Sequence, residues 1–423
     1  MLVFAFFSVL VIIIVRLLNA RSPPSLYGIY QHSSKFYYVK LIFIYIILLI
    51  RKMQNDIHVL TKKRSQHSGY GLKSKVSLEE MDMKQSLGSH PKAIDAVYFN
   101  LANSNGWHLI VGTASRPHDV VNGFLYLKVP DIGLLVSPKL PDTMLFRSKL
   151  DRENSYGAEG LILYPFQPMK VWKIQYNGPM HIYGDPENKF DVKLNAVWSS
   201  DLPYFDFDTD MNKYSVAKSM ASEPWSREYF KNLNEFHQTH YEQHGDAHIQ
   251  LHLQEKLYKV KVNGVRDHSY AEKREWKLFH RYALHFITLE SGVRISVGIV
   301  CMPLAFTRLI VGYLYSQNGE IVSVHKCSLQ LPQHGNNGNP PSDYGFSFEA
   351  GGHTYDVQVN VYDRTEFYIG WEWEARVVEL LAQFTVNGVR GWGACEWQYR
   401  NVNGRPLQLL QSDPTWTKDI NKG

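Results

Sequence analysis

The segment Gly264–Trp276 places Arg266, Asp267, His268, Ser269, Arg274 and Trp276 close together in the chain. On an extended strand Arg266 and His268 face one way, and Asp267 and Ser269 the other. An Asp beside a His can orient an imidazole and set its basicity, so Asp267 and His268 are candidate acid–base groups. The competing expectation is a buried structural network, with Arg266 paired to a carboxylate where two domains pack.

A second polar cluster spans His237–His248, with His252 beyond it. Imidazole and carboxylate suit zinc or iron, but the spacing fits no standard ligand loop. On one strand His248 and His252 would stand about 13 Å apart, too far to share an ion. No metal and no cofactor is therefore expected. Glu242, beside Tyr241, is the more useful group, a carboxyl whose pKa an apolar cavity would raise. A third cluster, Asn387–Trp397, sets Glu396 among glycines and aromatics, as a cavity acid or as the partner of Arg266. Trp371 and Trp373, in the run Phe367–Trp373, offer ring faces for an apolar pocket, although such runs are more often core. No phosphate loop, dinucleotide glycine motif, His-Glu-x-x-His pair or Gly-x-Ser-x-Gly elbow occurs.

These groups need strands to hold them. Asn105-Gly106, Asn122-Gly123, Ser291-Gly292 and Asn318-Gly319 adjoin runs of alternating apolar residues and predict hairpins. Alternation is cleanest over Ala247–Gln254 and Asp356–Val361, as in half-buried antiparallel strands. Helical periodicity is scarce, and its best stretch is Ser222–Phe236, with Ser222 as N-cap and Pro224 in the first turn. Val262–Arg266 recurs as Val386–Arg390, a weak echo that suits two similar β modules. Barrels or sandwiches are expected rather than a doubly wound sheet.

The chain has 423 residues, with 45 Lys and Arg against 40 Asp and Glu, for a net +5. Up to Lys75 the only acid is Asp56, so the basic excess sits at the start and the remainder is mildly acidic. That distribution argues against nucleic-acid binding, which needs a basic face. Cys301, Cys327 and Cys395 are too few and too dispersed for a disulfide scaffold. Leu2–Val15 and Phe36–Ile50 are apolar stretches, each short of the roughly 20 residues of a straight span. Arg51, Lys52, Lys62, Lys63 and Arg64 follow, and the positive-inside tendency puts the main body in the cytoplasm. The expectation is an N-terminal anchor of one or two passes, cleavage of the first stretch as a signal peptide being the alternative.

The segments His240–Ile249, Val262–Trp276 and Asn387–Trp397 resemble the superfamily of carotenoid 1,2-hydratases, tocopherol cyclases and AttH-like proteins. They are most similar to an animal domain found ahead of phosphoenolpyruvate-synthase-like regions. The likeness covers about residues 93–408, with Arg266, Asp267, His268, Ser269, Arg274 and Trp276 on its most specific motif. It implies an all-β fold of two lipocalin-like antiparallel barrels side by side, with a hydrophobic small molecule between or inside them. No phosphotransfer or swinging-histidine segment is expected within these residues, so phosphoenolpyruvate chemistry is not inferred. The resulting division is 1–52 anchor, 53–92 linker, 93–260 first barrel, 261–410 second barrel and 411–423 tail.

Two functions follow. In the first, a lipid-like or isoprenoid ligand is hydrated, cyclised or isomerised. Asp267 or Glu242 is then the acid, His268 its partner, and Trp276, Trp371 and Trp373 the wall, with Arg266, Ser269, Arg274 and Glu396 also at the ligand. In the second, the protein is a non-catalytic binder or an interaction module, and the Arg/Asp/His network is structural. Membrane lipid is an expected partner in either case.

Overall fold

The computed structural model describes residues 8–9, 11–12, 23–33, 36–61, 70–72, 76–147 and 154–404. Apolar side chains recur at every second position along many strands, giving each strand one face to bury. Strands β1 (Ile94–Ala102), β2 (His108–Ser115), β3 (Val120–Val129), β4 (Gly133–Val136), β5 (Asp142–Phe146) and β6 (Leu161–Gln167) open the first sheet. It continues with β7 (Val171–Ile182), β8 (Asp185–Ser199), β9 (Phe205–Asp206), β10 (Thr239–Leu253) and β11 (Lys256–Ala271). Pairing runs β11-β1-β2-β3-β4-β7-β8-β10, and β10 pairs back onto β11, so the sheet closes on itself. The second sheet is a closed barrel in chain order. It comprises β12 (Arg281–Leu289), β13 (Arg294–Met302), β14 (Phe306–Tyr315), β15 (Ile321–Cys327), β16 (Asp343–Ala350), β17 (His353–Ile369), β18 (Ala375–Val386) and β19 (Val389–Arg400).

Each barrel has its own packed interior. Phe99, Leu109, Leu127, Trp172, Trp198 and Leu251 fill the first. Ile287, Ile295, Phe348, Val359, Leu380 and Trp397 fill the second. A further apolar cluster joins the outer faces of both, through Tyr98, Ile110, Val265, Phe286, Phe367 and Leu381. The barrels therefore stand side by side on a shared seam.

The expected break at residue 260 falls inside β11, which stays in the first sheet to Ala271, while the second barrel opens at Arg281. Three expected hairpins close as turns at Asn105-Gly106, Ser291-Gly292 and Asn318-Gly319. Asn122-Gly123 does not turn, because it lies within β3. The Asn122 side chain is committed elsewhere, accepting from Arg116 Nε at 3.0 Å and donating to the Thr143 carbonyl at 2.6 Å. The internal echo joins unlike positions. Asn263-Gly264 is mid-strand in β11, whereas Asn387-Gly388 is the β18–β19 turn, with both φ angles positive. At Gly264 a Cβ would stand 1.9 Å from the Asn100 carbonyl oxygen on β1, so close strand approach accounts for that glycine.

No helix among the described residues is long and apolar enough to cross a membrane. The expected anchor is unsupported: Phe36–Ile50 lies almost wholly in α1 (Tyr37–Thr61), which packs on the protein body. Leu41, Ile44 and Leu48 are buried with Phe306 and other residues of the body. Lys40 Nζ donates to the Glu223 carbonyl at 2.6 Å, and Arg51 Nη1 to the Tyr70 carbonyl at 2.6 Å. Most of Leu2–Val15, and the 411–423 tail, lie outside the described residues. The expected linker holds α2 (Leu78–Asp82), started by a Ser77–Glu80 capping box. The expected helix over Ser222–Phe236 is two helices, α3 (Lys213–Ser222) and α4 (Arg227–Glu235). Ser222 ends the first, and Ser226 caps the second by accepting from the Tyr229 N–H at 3.0 Å.

Candidate active site between the barrels

Strand alternation divides the chemistry of β10 and β11 between two places. The inward side of the first barrel takes Tyr241, Gln243, Arg266 and His268; the outward side, toward the second barrel, takes His240, Glu242, Asp267 and Ser269. Register sets Glu242 opposite Asp267 and His240 opposite Ser269. These outward groups line a cavity of about 300 Å³ in the seam. Leu284, Val300, Phe367 and Val377 supply apolar wall from the second barrel, and Leu48 of α1 and Val216 of α3 border it.

Asp267 is the sharpest group there. It makes no hydrogen bond to a described residue, and burial, helped by the neighbouring Glu242 and Glu396 carboxyls, pushes its pKa up to about 6 against the pull of His240 and Arg274. Glu242 is held more firmly: its Oε2 accepts from the Tyr313 hydroxyl at 2.9 Å, and its Oε1 lies 3.5 Å from His240 Nε2. Burial opposes charge on His240, yet Glu242 and Asp267 outweigh it and raise the imidazole pKa.

A carboxyl pair stands behind this group. Glu396 of β19, in the cavity wall, faces Glu379 of β18 across the strand pair. Tyr282 donates to Glu396 Oε1 at 2.5 Å, and Tyr98 donates to Glu379 Oε1 at 2.9 Å. Burial and the Glu396 charge push Glu379 well above the usual carboxylate range, and burial also raises Glu396. Two such carboxyls cannot both ionise at neutral pH, so the pair retains a proton.

The inward groups form a different unit. Arg266 Nη1 donates to Asp82 Oδ1 at 2.5 Å, and Nη2 donates to Gln243 Oε1 at 3.0 Å. His268 Nε2 lies 2.7 Å from Asp95 Oδ1, and its Nδ1 lies 2.9 Å from the Tyr241 hydroxyl. Burial alone would lower the His268 pKa, but Asp95 and Asp82 raise it to about 9. Both ring nitrogens then donate. Asp82, carried in by α2, also accepts from Tyr241 at 2.5 Å and from Trp172 Nε1 at 2.9 Å. All of Arg266, His268, Asp82 and Asp95 are buried in the first barrel.

Of the residues singled out in the sequence, Glu242, Asp267, Ser269, Arg274, Trp276 and Glu396 line the cavity together. Arg266 and His268 do not, because alternation turns them into the first barrel, where His268 partners Asp95 rather than Asp267. Trp371 and Trp373 lie beyond the end of β17 and outside the lining, with Trp371 38% exposed. Phe367 and Ile369 of the same run face the cavity instead. Glu379, Tyr282 and Arg116 were not anticipated; Glu379 alone left a signal, as a single acid in the buried run Val377–Leu381. His248 and His252 are exposed, and among the described residues no group of three His, Cys, Asp or Glu side chains is placed to hold a metal ion.

Fold and site together define a two-barrel β protein with an acid-lined cavity between its barrels. Residues 3–399 match the model of a family of unknown function (DUF8627), and the chain belongs to that family. No curated protein matches it. Among solved structures, similarity is found to a candidate AttH from Nitrosomonas europaea, with 12% identity over 73% of this chain and 92% of that one, and a TM-score of 0.45. Kievitone hydratase from Nectria haematococca shows 10% identity over 80% and 97%, with a TM-score of 0.43. CghA shows 9% identity over 77% and 95%, also at 0.43. At these values the similarity carries no activity over to this chain.

Proposed function

We propose that this protein binds an isoprenoid or other lipid-like small molecule between its barrels and catalyses acid–base addition or rearrangement at an alkene. The observation that carries this is Asp267, a carboxyl in a largely apolar cavity with no hydrogen-bond partner among the described residues, whose pKa of about 6 leaves it a proton donor near neutrality. Its proton passes to an alkene carbon and leaves a cation beside the ring faces of Phe124, Phe367 and Trp276. Water then adds and returns a proton to the carboxylate, which is hydration. Loss of a proton from a neighbouring carbon to the carboxylate gives isomerisation, and attack by a second alkene, followed by the same proton loss from the new cation, gives cyclisation. Glu242 with His240 can orient the water, and the Glu379–Glu396 pair can resupply a proton.

The test is Asp267→Asn assayed for turnover on isoprenoid alkenes and for melting. We expect turnover to fall by roughly 10²–10⁴-fold with no loss of melting temperature. Unchanged turnover overturns the role of Asp267. Binding without turnover by the native protein identifies a carrier instead.

The kinship proposed within the superfamily is with the animal domain found ahead of phosphoenolpyruvate-synthase-like regions, on the strength of Arg266–Ser269, Arg274 and Trp276. Membrane lipid is proposed as the source of the ligand. The outward side of α1 exposes Tyr38, Val39, Ile42, Phe43, Ile46 and Ile50, while Leu48 of the same helix borders the cavity. A helix of this kind lies in the headgroup plane. The basic run Lys62-Lys63-Arg64 next to it favours the anionic cytoplasmic leaflet.

A further inference from the structure

The cavity has a cationic end, where Arg274 acts on Asp267 and Glu396 through space alone. Arg116 and Arg274 both line it. They meet at one point of the backbone: the Arg274 N–H donates to the Lys92 carbonyl at 2.9 Å, and Arg116 Nη1 donates to the same oxygen at 3.3 Å. Neither guanidinium has a carboxylate within salt-bridge distance among the described residues. Two acids close by are engaged by lysines, Glu275 by Lys273 at 3.2 Å and by Lys277 at 3.0 Å, and Glu374 by Lys92 at 3.7 Å.

Arg274 is the barer of the two. Its Nε is buried without an acceptor, and its one side-chain hydrogen bond, from Nη1 to Ser269 Oγ, is long at 3.4 Å. The Trp276 ring lies 4.5 Å from the guanidinium carbon, which supports the plane of the cation but accepts none of its in-plane N–H groups. Arg116 Nε is satisfied by Asn122 and Nη1 by backbone carbonyls, while Nη2 has no acceptor among the described residues. Burial, then the charge of Arg274, lowers the Arg116 pKa to about 10, as adjoining cations require. A buried guanidinium with idle donors is costly unless something else accepts from it.

We propose that Arg116 and Arg274 together bind the carboxylate of an amphiphilic ligand, whose apolar chain lies along Ile94, Leu284, Val300 and Phe367. The proposal rests on the cavity being the ligand site, as argued above. A planar monoanion suits the two guanidinium forks. A phosphate dianion would place further negative charge beside Asp267, Glu242 and Glu396.

The experiment is calorimetric titration of the full chain with three tail-matched probes: dodecanoate, dodecan-1-ol and dodecyl phosphate. The native protein should bind dodecanoate about 10–100-fold more tightly than the alcohol, the worth of a charge-assisted hydrogen-bond pair. Arg274→Gln should bring dodecanoate down to the level of the alcohol without changing the alcohol, and Arg274→Lys should recover part of the difference. Melting curves of both variants check that they fold, and the comparison within the native protein needs no variant at all. Equal binding of acid and alcohol overturns the proposal, as does an unchanged ratio in Arg274→Gln, or a preference for dodecyl phosphate over dodecanoate. If turnover still depends on Asp267 while binding ignores the head group, only the carboxylate assignment falls. If none of the three probes binds, the cavity as ligand site falls with it.

Discussion

Asp267, in the cavity lining, and Asp82, buried in the first barrel, are carboxyls whose folded environments pull in opposite directions. Burial leads the shift at Asp267, whose pKa rises from an ordinary 3.8 to about 6. The folded state then binds more protons than the unfolded state between those values, so this group's contribution to stability falls as pH rises from about 4 to about 6 and stays lower above that. Asp267→Asn should therefore stabilise the protein at pH 7, by an order of 1–3 kcal/mol, and flatten stability across that interval, measured by urea unfolding at several pH values. A loss of stability would mark Asp267 as a structural group. At Asp82 burial is outweighed by Arg266 and His268, which hold the carboxyl well below its usual range. Its contribution is present above the ordinary value and is lost as pH falls. Asp82→Asn leaves Arg266 buried without its carboxylate and should cost about 3–5 kcal/mol by the same measurement. The neighbouring His268, raised to about 9, contributes fully below its ordinary 6.5 and loses that contribution as pH climbs through 9.

At the scale of elements, β11 shows what alternation alone can tell. The opposed facing of Arg266 with His268 and Asp267 with Ser269 follows from strand geometry, and the segment divides between a buried network on one side of the strand and the cavity on the other. The sequence could not show which side met the cavity, because that depends on the second barrel, whose β18 and β19 lie far away in the chain. Asn122-Gly123 misled for a similar reason: its amide is bound by Arg116 and Thr143, partners invisible to a local turn signal. The apolar richness of α1 resembles that of a membrane span, but its 3.6-residue period divides the helix into a buried and an exposed side. That exposed side gives a prediction. The native chain should sediment with anionic phospholipid vesicles, and Ile42→Asn with Ile46→Asn should weaken this several-fold without altering the melting curve. Equal sedimentation of both proteins would exclude the outer side of α1 as the contact.

At the scale of the whole molecule, the hollow lies between two filled barrels rather than inside either. An all-β architecture of barrels or sandwiches was legible from hairpin spacing and alternation, and its pairing of two barrels from the family resemblance, but the seam was not, since its apolar residues look like ordinary core. A change that fills the seam should separate binding from folding. Val300→Phe, in the cavity wall, should raise stability by about 0.5–2 kcal/mol while weakening dodecanoate binding at least tenfold, by thermal melting and calorimetry. Undiminished binding would place the ligand elsewhere.

Because β11 wears one set of charges on each side, its alignment with β1 and β10 is a matter of identity as well as of strength. Removing a single residue upstream of Gly264 would turn the strand inside out, thrusting a guanidinium and an imidazolium toward the ligand and stranding an acid among the tryptophans. The tight passage of Gly264 beside Asn100 guards against that slip, so a bulkier residue there would endanger the very meaning of the strand's code.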